Sequence, residues 1–101
     1  MGERGVVSAE PHIDNEVRPR RVEHVIAREG DREVLLLDVE SGCYFTLNEI
    51  GGRIWELCDG AKSVSEIIAA LCEEYDAPPE TIRADAVELL EELSRERLLE
   101  Q

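Results

Sequence analysis

The stretch from Val34 to Leu57 constrains the fold more than any other part of the chain. Val34-Leu35-Leu36-Leu37-Asp38-Val39 is a near-continuous apolar run of strand length, the pattern of a central strand covered on both faces. Glu40-Ser41-Gly42 follows, and its glycine can take the left-handed conformation that closes a three-residue hairpin loop. Cys43 to Leu47 reads as the returning strand, and Asn48 then offers a side-chain oxygen to the free amides of a helix start. Pairing Val39 with Cys43 sets Leu37 opposite Phe45 and Leu35 opposite Leu47. In that register all six side chains share one face, which is read as the core face.

Downstream, a helix from Glu49 to about Cys58 places Ile50, Ile54, Leu57 and Cys58 on one side. Gly51 and Gly52 each cost about 1 kcal/mol relative to alanine in a helix, which predicts the close approach of another backbone. Asp59-Gly60 ends this helix by a glycine cap. Ser63 with Glu66 forms a capping box for a second helix, whose stripe is Val64, Ile67, Ile68, Leu71, Cys72 and Tyr75. Pro78-Pro79 breaks that helix and starts a third, from Pro79 to Arg95, with Ile82, Ala86, Leu89, Leu90 and Leu93 on its buried side and Val87 at the margin. Leu98 and Leu99 are expected to fold back onto the core. Upstream, residues 1–19 are polar and irregular and read as a flexible tail, with the folded domain spanning 20–101. Within that domain a first strand begins near Arg20, where Val22, His24 and Ile26 alternate with Glu23, Val25 and Ala27 before the turn residues Glu29-Gly30-Asp31. Three strands followed by three helices make an α+β domain resembling a small winged helix-turn-helix, with a three-stranded antiparallel sheet.

Charge narrows the function. Eleven Lys and Arg stand against 24 Asp and Glu, a net charge of −13 that repels phosphate backbones and anionic lipid and favours basic or neutral partners. From Pro79 to Gln101 there are three basic residues and seven acidic ones, so the third helix is poorly equipped to read DNA. No apolar run approaches the roughly 18 residues of a membrane span, and the first residues lack a signal-peptide core. Together these predict a cytoplasmic protein that engages neither membrane nor nucleic acid. The cysteines Cys43, Cys58 and Cys72 form no close pair, and His12 and His24 lie far upstream, which predicts no metal, cofactor or disulfide. The carboxylates sit on solvated helix faces, no histidine is placed to activate Cys43, and no glycine loop cradles a phosphate. The chain therefore reads as a non-enzyme.

Peptide recognition remains, and the hairpin supplies a means. If the strands run as a meander, Cys43 to Leu47 lies at the sheet edge, where an extended peptide can add as a further strand and the third helix forms a second wall. The same edge could instead be covered by the N-terminal tail or a dimer partner, and the residues alone leave both readings open. Two other classes also stand: a winged-helix transcription regulator, and a structural or dimerisation subunit of a larger assembly.

Leu37-Asp38-x-Glu40-Ser41-Gly42-x-Tyr44-Phe45-x-Leu47-Asn48-Glu49, then Gly51, Ile54-Trp55-Glu56-Leu57 and Asp59-Gly60, resemble the PqqD family. Ser65-Glu66-Ile67-Ile68, Leu71, Tyr75, Asp85 and Leu98-Leu99 carry the resemblance to about residue 99. It implies a stand-alone recognition element that binds the leader of a ribosomally made precursor peptide and presents it to a radical SAM maturase or a leader peptidase, with the style closest to lasso-peptide systems. By position it implies a peptide-binding strand of Cys43, Tyr44, Phe45, Thr46 and Leu47. Arg83, Val87 and Leu90 of the third helix are added from their facing beside the core stripe. Arg97 stands where the family commonly has glycine, and Gly52 where a larger small residue is usual.

Overall fold

The computed structural model describes residues 14–100, so the tail expected over residues 1–13 lies outside the described residues. Eight elements follow in order: β1 (Arg20–Arg21), β2 (Val25–Glu29), β3 (Glu33–Asp38), β4 (Tyr44–Asn48), α1 (Glu49–Leu57), α2 (Val64–Glu74), α3 (Pro79–Arg95) and β5 (Leu99–Glu100). The antiparallel sheet has the order β2-β3-β4, so β3 is central and β4 is an edge. This is the expected α+β architecture of a three-stranded sheet followed by three helices. A second, two-stranded sheet pairs β1 with β5 and joins the two ends of the described chain. The strand expected from Arg20 is thereby divided: Arg20–Arg21 goes to β5, and β2 begins only at Val25.

The hairpin forms in a different register from the one expected. Leu37 pairs with Tyr44, Leu36 with Phe45, Leu35 with Thr46 and Val34 with Leu47, a slip of one residue. Asp38 causes it. Its carboxylate accepts from the Glu40 and Ser41 amides at 2.9 and 3.3 Å, its carbonyl accepts from Gly42 N–H at 2.8 Å, and its own N–H donates to the Cys43 carbonyl at 2.9 Å. Burial pushes the Asp38 carboxyl up, but the Glu40 and Ser41 hydrogen bonds outweigh it and hold the group below its ordinary value. An aspartate that organises the turn in this way draws Val39 into the loop, which becomes Val39 to Gly42.

Because side chains alternate across a strand, the slip changes the face of every β3 residue. Leu36, 1% exposed, and Val34 face the core beside Phe45 and Leu47. Leu35, Leu37 and Val39 are exposed, so β3 is central but covered on one face only. Of the six side chains expected inward, Phe45 and Leu47 are; Cys43 is exposed.

The helices follow their sequence signals closely. Asn48 caps α1 by accepting from Gly51 N–H at 2.8 Å. Ser63 and Glu66 complete the capping box of α2, with Ser63 Oγ accepting from the Glu66 amide and the Glu66 carboxylate from the Ser63 amide. The next orphan amides of α2 are met by the chain before β1: Val64 N–H donates to the Val17 carbonyl at 2.9 Å and Ser65 N–H to the Asn15 carbonyl at 3.0 Å. Pro19 is buried, and Gly60 N–H donates to its carbonyl. Residues 14–19 are thus seated on the domain. Gly60 has a positive φ as expected near a helix end, but its amide serves this segment rather than the helix.

The core joins Leu36 and Leu47 of the sheet to Ile54 and Trp55 of α1, Ile67 and Leu71 of α2, and Ile82, Ala86, Leu90 and Leu93 of α3. Leu98 and Leu99 close it from the far end. The two helix glycines allow side chains, not a backbone, to approach: a Cβ on Gly52 would lie 2.6 Å from Val34 Cγ2, and one on Gly51 would crowd Leu47 and Leu89. On the outside, Arg53 of α1 forks onto both oxygens of Glu74 in α2 at 2.8 Å, a bidentate geometry that fixes the two helices against each other.

Candidate functional site

The edge of β4 can be read residue by residue from the ladder. Asp38 N–H donates across to Cys43, while Val39 N–H donates to His24 and Glu33 accepts from Gly30 on the other side of β3. Alternation then directs the backbone groups of Cys43, Phe45 and Leu47 toward β3 and those of Tyr44 and Thr46 away from the sheet. Residues 14–21 hydrogen-bond to α1, α2 and the loops beside them and to the β5 end, so the described part of the N-terminal segment leaves this edge uncovered.

A cleft of about 400 Å³ runs along that open edge, between β4 and α3. Its strand wall is Thr46, Leu47 and Asn48. Ile50, Gly51 and Ile54 of α1 supply an apolar floor, and Gly51 keeps it open where a side chain would meet Leu47 and Leu89. The helix wall is Asp85, Glu88, Leu89 and Glu92. These four recur at i, i+3, i+4 and i+7, the spacing that puts them on one helix face.

The residues implied from sequence divide into three groups. Thr46 and Leu47 line the cleft. Tyr44, 69% exposed, stands on the outer face of the same strand, and Phe45 is packed against the core. Cys43 is exposed just before the strand, its amide donating to Ser41 Oγ at 3.2 Å. On α3, Leu90 is fully buried and is a core residue, so its expected place on the binding surface is corrected. Val87 and Arg83 lie on the other flank of the helix, around a separate shallow hollow with Ala84 and Glu91. Arg83 there donates to Asn15 Oδ1 at 3.0 Å. The facing argument was one helix position out: Leu89, assigned to the core, is the half-buried residue that meets the cleft. The 85-88-89-92 spacing was the signal that could have identified the wall.

No cofactor chemistry is assembled elsewhere. Among the described residues no group of three or more His, Cys, Asp or Glu side chains is placed to hold a metal ion. Burial pushes the Cys58 thiol up to about 12, which keeps it protonated and a poor nucleophile at neutral pH. No helix among the described residues is long and apolar enough to cross a membrane.

Three comparisons bear on this geometry. A PqqA binding protein from Gluconobacter oxydans (strain 621H) is 32% identical over 99 residues, covering 98% of each chain. The structure of TbiB1 in complex with the TbiA(beta) leader peptide superposes with a TM-score of 0.70 at 36% identity, over 80% of this chain and 94% of that one. The solution NMR structure of the PqqD truncation of Methylobacterium extorquens PqqCD, a functional stand-alone recognition element for ribosomally synthesised and modified peptides, gives a TM-score of 0.73 at 31% identity, over 88% and 95%. The family model for coenzyme PQQ synthesis protein D matches residues 33–99, which takes in the hairpin, the cleft and all three helices; the chain belongs to the PqqD family.

Proposed function

We propose that this protein is a non-catalytic leader-peptide-binding protein. It captures the leader of a ribosomally made precursor by strand addition to β4 and presents the peptide to a modifying enzyme or leader peptidase. The observation that carries this reading is the open β4 edge with an apolar-floored cleft running beside it. The relatives support it: one is named for binding PqqA, and another was solved with a leader peptide bound.

The energetics require both features. Tyr44 and Thr46 offer two N–H and two C=O groups, and four backbone hydrogen bonds net about 2–6 kcal/mol at 0.5–1.5 each. A micromolar complex needs about 8 kcal/mol, so leader side chains must bury apolar surface in the cleft. Thr46 is the centre of the contact, and Leu47, Ile50, Ile54 and Leu89 are the side chains that receive the leader.

Titration of fluorescently labelled leaders from precursors encoded beside this chain tests the reading, with saturable polarisation as the expected result. Thr46→Pro removes an edge amide at a position where an edge strand tolerates proline, and should weaken binding far more than Glu91→Ala. Equal losses in the two variants would refute strand addition. A transcription-factor role predicts DNA affinity that falls steeply with salt; with −13 net charge and an acidic α3 face, no such shift is expected.

A further inference from the structure

The helix wall of the cleft carries three carboxylates, Asp85, Glu88 and Glu92, and no Lys or Arg lines the cleft anywhere. None of the three is in a salt bridge among the described residues. The nearest helix cation in sequence, Arg83, is turned to the opposite flank and held by Asn15. Beneath the carboxylates the floor is Leu47, Ile50, Ile54 and Leu89. The cleft thus joins an apolar floor to a wall of one sign, within a protein whose net charge has the same sign.

We infer that the cleft selects leaders in which an apolar residue, seated on the floor, has lysine or arginine two positions away on one or both sides. This rests on the strand-addition reading. In an added strand the residues facing α3 recur every second position, about 6.6 Å apart at 3.3 Å per residue. Along α3, Asp85 to Glu88 rises about 4.5 Å and Glu88 to Glu92 about 6 Å. An apolar anchor near Leu89 therefore sets its i−2 and i+2 neighbours beside the wall carboxylates. A basic residue there gains charge-assisted hydrogen bonds, its methylenes lying on apolar surface. An acidic residue meets like charge in a partly enclosed cleft, where repulsion is less screened than in open solvent.

The test uses two labelled synthetic peptides that share one extended sequence and one leucine anchor. One has lysine two positions to each side of the anchor, the other glutamate, and both are titrated into the full chain. The lysine peptide should bind at least about tenfold more tightly at low salt, from two pairings of modest individual strength. Near 1 M salt, where the screening length falls to about 3 Å, the ratio should shrink toward unity. Glu88→Lys with Glu92→Lys should reverse the preference, and the milder pair Glu88→Gln with Glu92→Gln should narrow it. Thr46→Pro should weaken both peptides alike. If the glutamate peptide binds as tightly as the lysine peptide while Thr46→Pro still abolishes both, strand addition survives and charge selection is refuted. If Thr46→Pro has no effect, or neither peptide binds, both fall together.

Discussion

Arg97→Gly should stabilise this protein, because Arg97 occupies a backbone conformation that suits glycine. Helix α3 ends at a Glu96 cap, and Arg97 follows with φ of 64°. Two hydrogen bonds fix it there: Arg97 N–H donates to the Ser94 carbonyl at 3.0 Å and Leu98 N–H to the Leu93 carbonyl at 2.9 Å. That pair is the Schellman arrangement, whose left-handed residue is most often glycine. The turn cannot relax, since it drives Leu98 and Leu99 into the core and delivers β5 to β1. A non-glycine residue there costs about 1–2 kcal/mol, whereas glycine restores about 0.4–1 kcal/mol of unfolded-chain entropy that folding must overcome. The net expectation is a gain of about 0.5–1 kcal/mol, or a rise in melting temperature of about 2–8 °C for a domain of this size. Arg97→Ala keeps the strained backbone and should leave stability unchanged within about 0.5 kcal/mol, as surface substitutions do. Urea unfolding of the three proteins in parallel decides the point. A glycine variant no more stable than the alanine variant would refute the strain argument.

Other substitutions test the packing and the charges. Gly52→Ala sets a Cβ 2.6 Å from Val34 Cγ2, so overpacking of about 1–3 kcal/mol should exceed the roughly 1 kcal/mol gained in helix propensity; Val34→Ala should then be less harmful in the Gly52→Ala background than alone, and additive effects in chemical unfolding would argue against the contact. Ser94 Oγ is buried without a hydrogen-bond partner, so Ser94→Ala should be neutral or stabilising by up to about 1 kcal/mol in the same assay. The Lys62 side chain, with the Ala61 amide, holds the Asp59 carboxyl down from its ordinary 3.8 to about 2. Its contribution is therefore complete above the unfolded value and lost as pH falls through the folded one, and the difference in unfolding midpoint between wild type and Asp59→Asn should shrink from pH 3.8 toward about 2. A difference that stays constant across that window would contradict the linkage.

Local chemistry was legible wherever one residue type has one strong structural use. Asn48, Ser63 with Glu66, and Pro79 each mark a helix start, and α3 runs over the expected residues. The order of strands was legible because short loops leave few alternatives to a meander. The register was not, because two devices competed over the same few residues. Gly42 in the left-handed region fits a three-residue loop as readily as a four-residue one, and β3 is apolar on both faces, so either parity buries leucines. The deciding contacts are the Asp38 carboxylate with two loop amides, made by a residue counted as a strand interruption. Leu89 and Leu90 pose the same difficulty on α3. Both belong to the apolar stripe, and only the position of β4 decides which of them faces the cleft.

The edge remains open for a reason built into the chain. Asn48 is the last residue of β4 and also the cap of α1, so the polypeptide turns from strand into helix with no linker. No residue is left over there to lay a fourth strand beside β4. The helix that follows places Gly51 and Ile54 beneath the edge, and α3 then packs so that Leu90 and Ala86 enter the core while Leu89 and Asp85 remain at the cleft. The chain ends meet at β1 and β5, away from β4. The same contacts that stabilise the fold therefore also create an unpaired strand with a shaped wall. Peptide binding need not remodel this domain; it can complete the sheet where the covalent chain stops doing so.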